Sequence, residues 1–106
     1  MLSPPKPLTW LGDSLDVVRG FGRSVSLLIG QDLRRVQNGV EPRSWKPMPI
    51  VGPGVREIRV SAAGEFRVLY VAASRDGIAV LHAFRKKTLK TAQRDIDKAR
   101  LRLGAI

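Results

Sequence analysis

Two arginines, Arg59 in GVREIRVS and Arg67 in EFRVLYVAA, have the type and spacing to do chemistry. Each lies in the middle of an alternating segment that reads as a strand, and a single short turn joins the two. A charged side chain in that position must face water or a polar cleft, because burying it unpaired is expensive. Arg67 shares its face with Leu69 and Val71, so that face is not simply the wet one. Two guanidinium groups on adjacent strands can clamp a phosphate through bidentate hydrogen bonds. The bland alternative is cross-strand pairing with Glu57 or Glu65. Close behind comes the run Arg85-Lys86-Lys87, which ends the last apolar segment beside the arginine pair. A helix is expected to follow, and cations ahead of a helix oppose its dipole. Their placement there argues for an external anion over a solvated strand end. Lys46, next to Trp45, can reach a backbone phosphate or remain a loose surface lysine. Trp45 can stack on a base or cover a sheet edge. His82 is the only side chain whose ordinary pKa lies near neutrality. It shares strand parity with Val80 and Phe84, which favours a packed histidine over a proton-transfer group.

Other kinds of site have little support. The chain has one histidine and no cysteine, which removes disulfides, thiolate metal sites, a cysteine nucleophile and a histidine cluster. No metal or cofactor is expected. GPGV lacks the spacing and the lysine of a phosphate-binding loop. Asp95 and Asp97 sit on a cationic helix and are expected to pair with its lysines. Nothing suggests a Ser-His-Asp arrangement.

The elements that must position these residues follow from periodicity. Residues 1–7 contain three prolines and are expected to be loose. PLTWLG reads as a short strand. DSLDVVRGF reads as a short helix with Asp13 at the N-cap and Asp16 in its first turn. From Ser24, Val25, Leu28, Ile29, Leu33 and Val36 recur at helical steps until Asn38-Gly39. Gly30 interrupts that helix, which suggests a neighbour packed close. EPRSWKPMPIVGPG, with four of the seven prolines, is a loop with an extended middle. Three strands follow as a meander, with Ala63-Gly64 and Asp76-Gly77 as its turns. A last helix over about 89–103 presents Ala92, Ile96, Ala99 and Leu103 on one side. Lys90, Arg94, Lys98, Arg100 and Arg102 take the other. The order is β-α-α-β-β-β-α, an α+β fold in which helices cover one face of a small antiparallel sheet.

The 106 residues amount to one domain, 1–106, with one modest core. The formal charge is +10, unevenly placed: residues 1–53 carry seven cations and four acids, and residues 54–106 twelve and five. Such a domain generally binds a polyanion, with nucleic acid the first choice and an acidic protein compatible with it. No segment combines a broad apolar face with flanking aromatics, and no apolar run approaches a membrane span. The N-terminus lacks the pattern of a secretory signal. A cytoplasmic protein with no membrane contact is expected.

SWKPM, GVREIRV, EFRVLYVA, VLHAFRKKT and KTAQRDIDKARLRL, in this order, resemble the phage-related branch of the RelE/HigB toxin superfamily of bacterial type II toxin–antitoxin modules. The resemblance spans about residues 8–103. It implies two N-terminal helices against an antiparallel sheet. It also implies an mRNA interferase, a metal-independent endoribonuclease that usually cuts mRNA on the translating ribosome and so inhibits translation. The ribose 2′-OH attacks the adjacent phosphate, the 5′-oxygen leaves, and basic side chains stabilise the developing charge. Arg67 takes the place of the transition-state arginine, Arg59 that of the arginine on the preceding strand, and Lys86 that of a basic residue after the last strand. Arg56, Lys46, Arg85, Lys87, Lys90 and Arg94 would bind RNA or the ribosome. The C-terminal aromatic of some relatives has no counterpart, because no Tyr or Trp follows Tyr70. No general base is identified; His82 or a lysine of depressed pKa would have to serve. The implied partners are mRNA, the ribosome and an antitoxin of helix-turn-helix type. Two other functions compete: a ParE-like gyrase poison and a phage nucleic-acid-binding protein without catalysis.

Overall fold

The computed structural model describes residues 4–72 and 77–106. Its elements are β1 (Leu8–Trp10), α1 (Ser14–Gly20), α2 (Arg23–Gln37), β2 (Trp45–Pro47), β3 (Val55–Ser61), β4 (Glu65–Ala72), β5 (Ile78–Lys86) and α3 (Gln93–Leu103). This is the α+β order read from the sequence, with the extended middle of the proline-rich loop forming the additional short edge strand β2. The sheet runs β1-β5-β4-β3-β2. The meander is antiparallel, whereas β1 lies parallel to β5. Asp76 of the expected second turn lies outside the described residues. Gly77 is required where it is: its φ is +115°, and a Cβ there would come within 2.5 Å of the Pro7 carbonyl oxygen. Of residues 1–7, expected to be loose, 1–3 lie outside the described residues. The Lys6 amide donates to the Gln37 carbonyl, and the Ile78 amide to that of Pro7.

Helices cover both faces of the sheet, not one. Val18 of α1 and Val25, Ile29, Leu33 and Val36 of α2 pack on Ile58, Val60, Phe66, Val68, Tyr70, Ile78 and Val80. On the other face, Ile96 and Ala99 of α3 pack with Met48, Val51, Val55, Leu69, Val71, Ala79, Leu81 and Phe84. Burial on both sides explains why β4 and β5 read as almost continuous apolar runs. Gly30 makes no close contact: a Cβ there would meet nothing within 4 Å.

A bulge in β5 resets its parity. Leu69 pairs with His82, but Tyr70 pairs with Val80, so Leu81 is the extra residue. Its carbonyl accepts a hydrogen bond from Arg102 of α3 at 3.0 Å, and Arg102 also reaches Asp13 at 2.6 Å. Asp13 therefore ties α3 to the start of α1 instead of capping α1 with its side chain. The Arg102 guanidinium holds the Asp13 carboxyl below the ordinary carboxylate range. Helix α3 begins at Gln93, four residues later than expected, so Arg85, Lys86 and Lys87 do not abut a helix N-terminus.

Candidate functional site

α3 covers only part of its face of the sheet. Beyond it, β2, β3 and β4 turn Lys46, Glu57, Arg59 and Arg67 toward the same side. The register makes this unavoidable: Lys46 pairs with Glu57, Leu69 with Glu57, and Arg59 with Arg67. Glu57 is fully buried at 0% exposure. Its Oε1 lies 3.5 Å from Arg67 Nε, 3.9 Å from Arg59 Nε and 3.9 Å from Lys46 Nζ. Neither carboxylate oxygen makes a hydrogen bond with a described residue. One sealed carboxylate thus gathers three cations by charge, without the short contacts that would lock them in place. Arg67 Nη1 also donates to Glu65 Oε1 at 3.2 Å and to the Phe66 carbonyl at 3.0 Å.

The two arginines are brought together but are not equivalent. The Arg67 side chain is 5% exposed, whereas those of Arg59 and Lys46 are 41% and 42% exposed. The cross-strand pairing with Glu57 and Glu65 is therefore present, and it leaves two of the three cations open to a ligand. Lys86 pairs with Glu65 at the end of β5. Its own burial and then the Arg67 charge lower its pKa from the usual lysine value. Ser61, opposite on β3, and then Arg67 keep the Glu65 carboxyl below the ordinary range.

Three expected site residues, Arg56, Arg85 and His82, lie elsewhere. Arg56 is on the α1–α2 side, its guanidinium 4.1 Å from the Trp45 ring centroid and 3.7 Å from Glu41. Trp45 in turn donates to Glu41, so it covers the sheet edge. The Arg85 guanidinium lies over the Phe66 ring on that same side. His82 is buried on the α3 side, 2.7 Å from Asp95 and stacked on Phe84. Burial lowers its pKa despite the aspartate. Asp95 thus pairs with histidine, and Asp97 accepts from Gln93, where pairing with lysines was expected. Lys87, Lys90 and Arg94 are exposed around the segment joining β5 to α3.

Reading the sequence missed Glu57 and Glu65 as members of the site. The signal is present in the sequence: both acids share strand parity with the arginines they pair with. Among the described residues, no group of three or more acidic or histidine side chains could hold a metal ion. No described helix is long and apolar enough to cross a membrane. A family model described as phage-derived protein Gp49-like (DUF891) matches residues 16–104. No curated protein matches the chain.

Proposed function

The chain belongs to the phage-derived Gp49-like family, which is related to the RelE/HigB-like toxins, and on that premise we propose that it is an endoribonuclease toxin acting on mRNA in the cytoplasm. The observation that carries this reading is the convergence of Lys46, Arg59 and Arg67 on one buried carboxylate at the uncovered part of the sheet. Such a cluster supplies positive charge where a phosphorane, whose extra negative charge develops only in the transition state, would need it. The 2′-oxygen attacks phosphorus, the bond to the 5′-oxygen breaks, and a 2′,3′-cyclic phosphate and a 5′-hydroxyl result. Arg59 and Lys46 contact the phosphate, while Arg67 supports them from beneath. Lys86 donates a proton to the departing 5′-oxygen, a task that its lowered pKa favours. Glu65, half exposed and ionised beside Arg67, accepts the proton of the 2′-hydroxyl. Ribosome dependence and a neutralising antitoxin belong to the same proposal.

The test is a translation reaction on end-labelled mRNA, with and without ribosomes and with and without chelator. Arg59→Ala is a better probe than Arg67→Ala, because Arg67 is buried and its loss would disturb Glu57. Cuts by wild type, lost in Arg59→Ala with the fold retained, support the reading. The burial of Arg67 favours a second reading, a binding protein without catalysis. It predicts intact RNA that is nonetheless bound, and bound less tightly by Arg59→Ala. Translation and RNA both unaffected would put gyrase poisoning first.

A further inference from the structure

β2 covers the outer edge of β3 only as far as the hydrogen bond from the Arg59 amide to the Ser44 carbonyl, 2.9 Å. Two residues on, the Ser61 amide and carbonyl point to the same edge, where no strand lies beside them. Between that bare edge and α2 opens a cleft of about 200 Å³, lined by Leu28, Asp32, Arg43, Arg59, Val60 and Ser61. Asp32 is 1% exposed, a rare setting for a carboxylate. Its Oδ1 accepts from the Arg43 amide at 3.2 Å and from Arg43 Nε at 2.9 Å. Its Oδ2 accepts no hydrogen bond from a described residue, although a buried carboxylate needs every acceptor satisfied. The Arg43 guanidinium is fixed at its far end as well, with Nη2 donating to the Leu28 carbonyl at 3.0 Å. Arg59 is held only by the 3.9 Å approach to Glu57. Asp32 and Arg43 take no part in the cleavage proposed above.

The cleft thus mixes an acceptor-only carboxylate with two guanidinium groups, and Leu28 and Val60 give it apolar wall. A phosphate there would meet the Asp32 charge, and a basic side chain would meet Arg43 and Arg59. What fits is uncharged and flat, with donors on one edge and acceptors on another, which describes a nucleobase. Guanine suits it best. Its N1–H and 2-amino group set two donors side by side for a carboxylate, and its O6 and N7 set two acceptors side by side for a guanidinium. Arg59 belongs both to this cleft and to the Glu57 cluster. We propose that the cleft reads a guanine base of the RNA strand, next to the phosphate held by Arg59 and Lys46, with Asp32 as the residue that selects it. This rests on the nuclease reading only for the position of that phosphate.

The experiment uses the full chain and short 2′-O-methyl oligoribonucleotides, which lack the attacking hydroxyl and cannot be cut. The base is varied at one position at a time, and affinity is read by fluorescence anisotropy at fixed salt. Wild type should prefer guanine at one position over the other three bases by about tenfold or more. Two analogues at that position test the edges separately. Inosine lacks the 2-amino donor, 7-deazaguanine lacks the N7 acceptor, and each should bind about threefold to tenfold more weakly than guanine. Asp32→Asn keeps an oxygen for Arg43 but turns a donor toward the base, so it should lose the guanine preference and keep its affinity for the other sequences. If Asp32→Asn does not fold, the two analogues decide the matter on wild type alone. A guanine preference in a protein that cuts no RNA would keep the cleft and remove the nuclease. Cleavage by a protein that binds all four bases equally would keep the nuclease and overturn the cleft. Inosine bound as well as guanine, a guanine preference intact in folded Asp32→Asn, displacement by free guanosine monophosphate at the same concentration as by RNA, or no binding of RNA would also overturn the proposal.

Discussion

Glu57 and Lys86 carry the sharpest claims about single side chains. Glu57 is the fully buried counter-charge beside Arg67, so removing it leaves the half-exposed Glu65 as the remaining carboxylate against that buried guanidinium. Breaking a buried pair by deleting one partner costs about 3–5 kcal/mol, although the pair itself contributes much less. Glu57→Gln preserves shape and should lower the unfolding free energy by about 3 kcal/mol in urea titration. Exposed Glu41→Gln, which loosens only surface contacts to Arg56 and Trp45, should change it by about 0.5 kcal/mol or less. Equal stability of Glu57→Gln and wild type would mean that Arg67 does not need this anchor. Lys86 is tested by its proton. Because its pKa lies below the usual lysine value, cleavage that uses protonated Lys86 must decline on the alkaline side before ordinary lysines titrate. Lys86→Arg keeps the charge but does not deprotonate in that range, so the alkaline decline should vanish from the rate profile. An unchanged profile would assign the proton to another group.

Among the elements, two opposite substitutions should both stabilise the protein. Ala63, in the turn between β3 and β4, has a φ of +55°, a left-handed conformation unfavourable to any residue with a Cβ. Gly30 is exposed within α2, with open space where a Cβ would be. Ala63→Gly should therefore gain about 0.5–1 kcal/mol and Gly30→Ala about 1 kcal/mol, each as a raised urea midpoint at constant slope. A lower midpoint for either would show that the turn or the helix face is set by something else. Local patterns made most elements legible. The α2 stripe, the strand alternation and the Ala63-Gly64 turn each follow from spacing alone. Three features did not, because they are decided by partners distant in sequence. The β5 bulge moves His82 off the face of Val80 and depends on how β4 and β5 pair. Residues 89–92 have helical spacing but were left outside α3. The choice of face for α3 depends on both sides of the sheet being apolar, although IAVLHAF, with no alternation, already hinted at it. The arginine cluster was legible as far as parity goes. The burial of Glu57 was not, because an acid between arginines on a strand looks the same whether sealed or solvated.

The molecule as a whole is three layers joined across the sheet by few polar links, and one of these links titrates. His82 on the sheet meets Asp95 on α3 at 2.7 Å through Nε2, while its Nδ1 is buried without a partner among the described residues. Asp95, Arg102 and Lys98 surround it from α3, and Phe84 stacks on it from β5. The neutral ring fits this setting: Nε2 donates to the carboxylate, and Nδ1 needs no donor of its own. Protonation adds an N–H at Nδ1 with no acceptor, and the nearby cations oppose the new charge, whereas Asp95 favours it. The net effect is a folded pKa below the ordinary value of about 6.5. The folded state then binds fewer protons than the unfolded chain across the interval between the two values. Stability from this group is complete above about pH 6.5 and is lost as pH falls toward the folded pKa. The carboxyls of Asp13 and Glu65, also held low, add a second loss only in the acid range below about pH 4.5. Urea midpoints should therefore fall between pH 7.5 and pH 5.5. His82→Gln keeps a donor for Asp95 and has no proton to gain, so its midpoint should stay flat over that interval even if it starts lower. A midpoint of wild type that holds or rises on acidification would mean that the Asp95 attraction outweighs burial, and that α3 is clasped to the sheet by an ion pair.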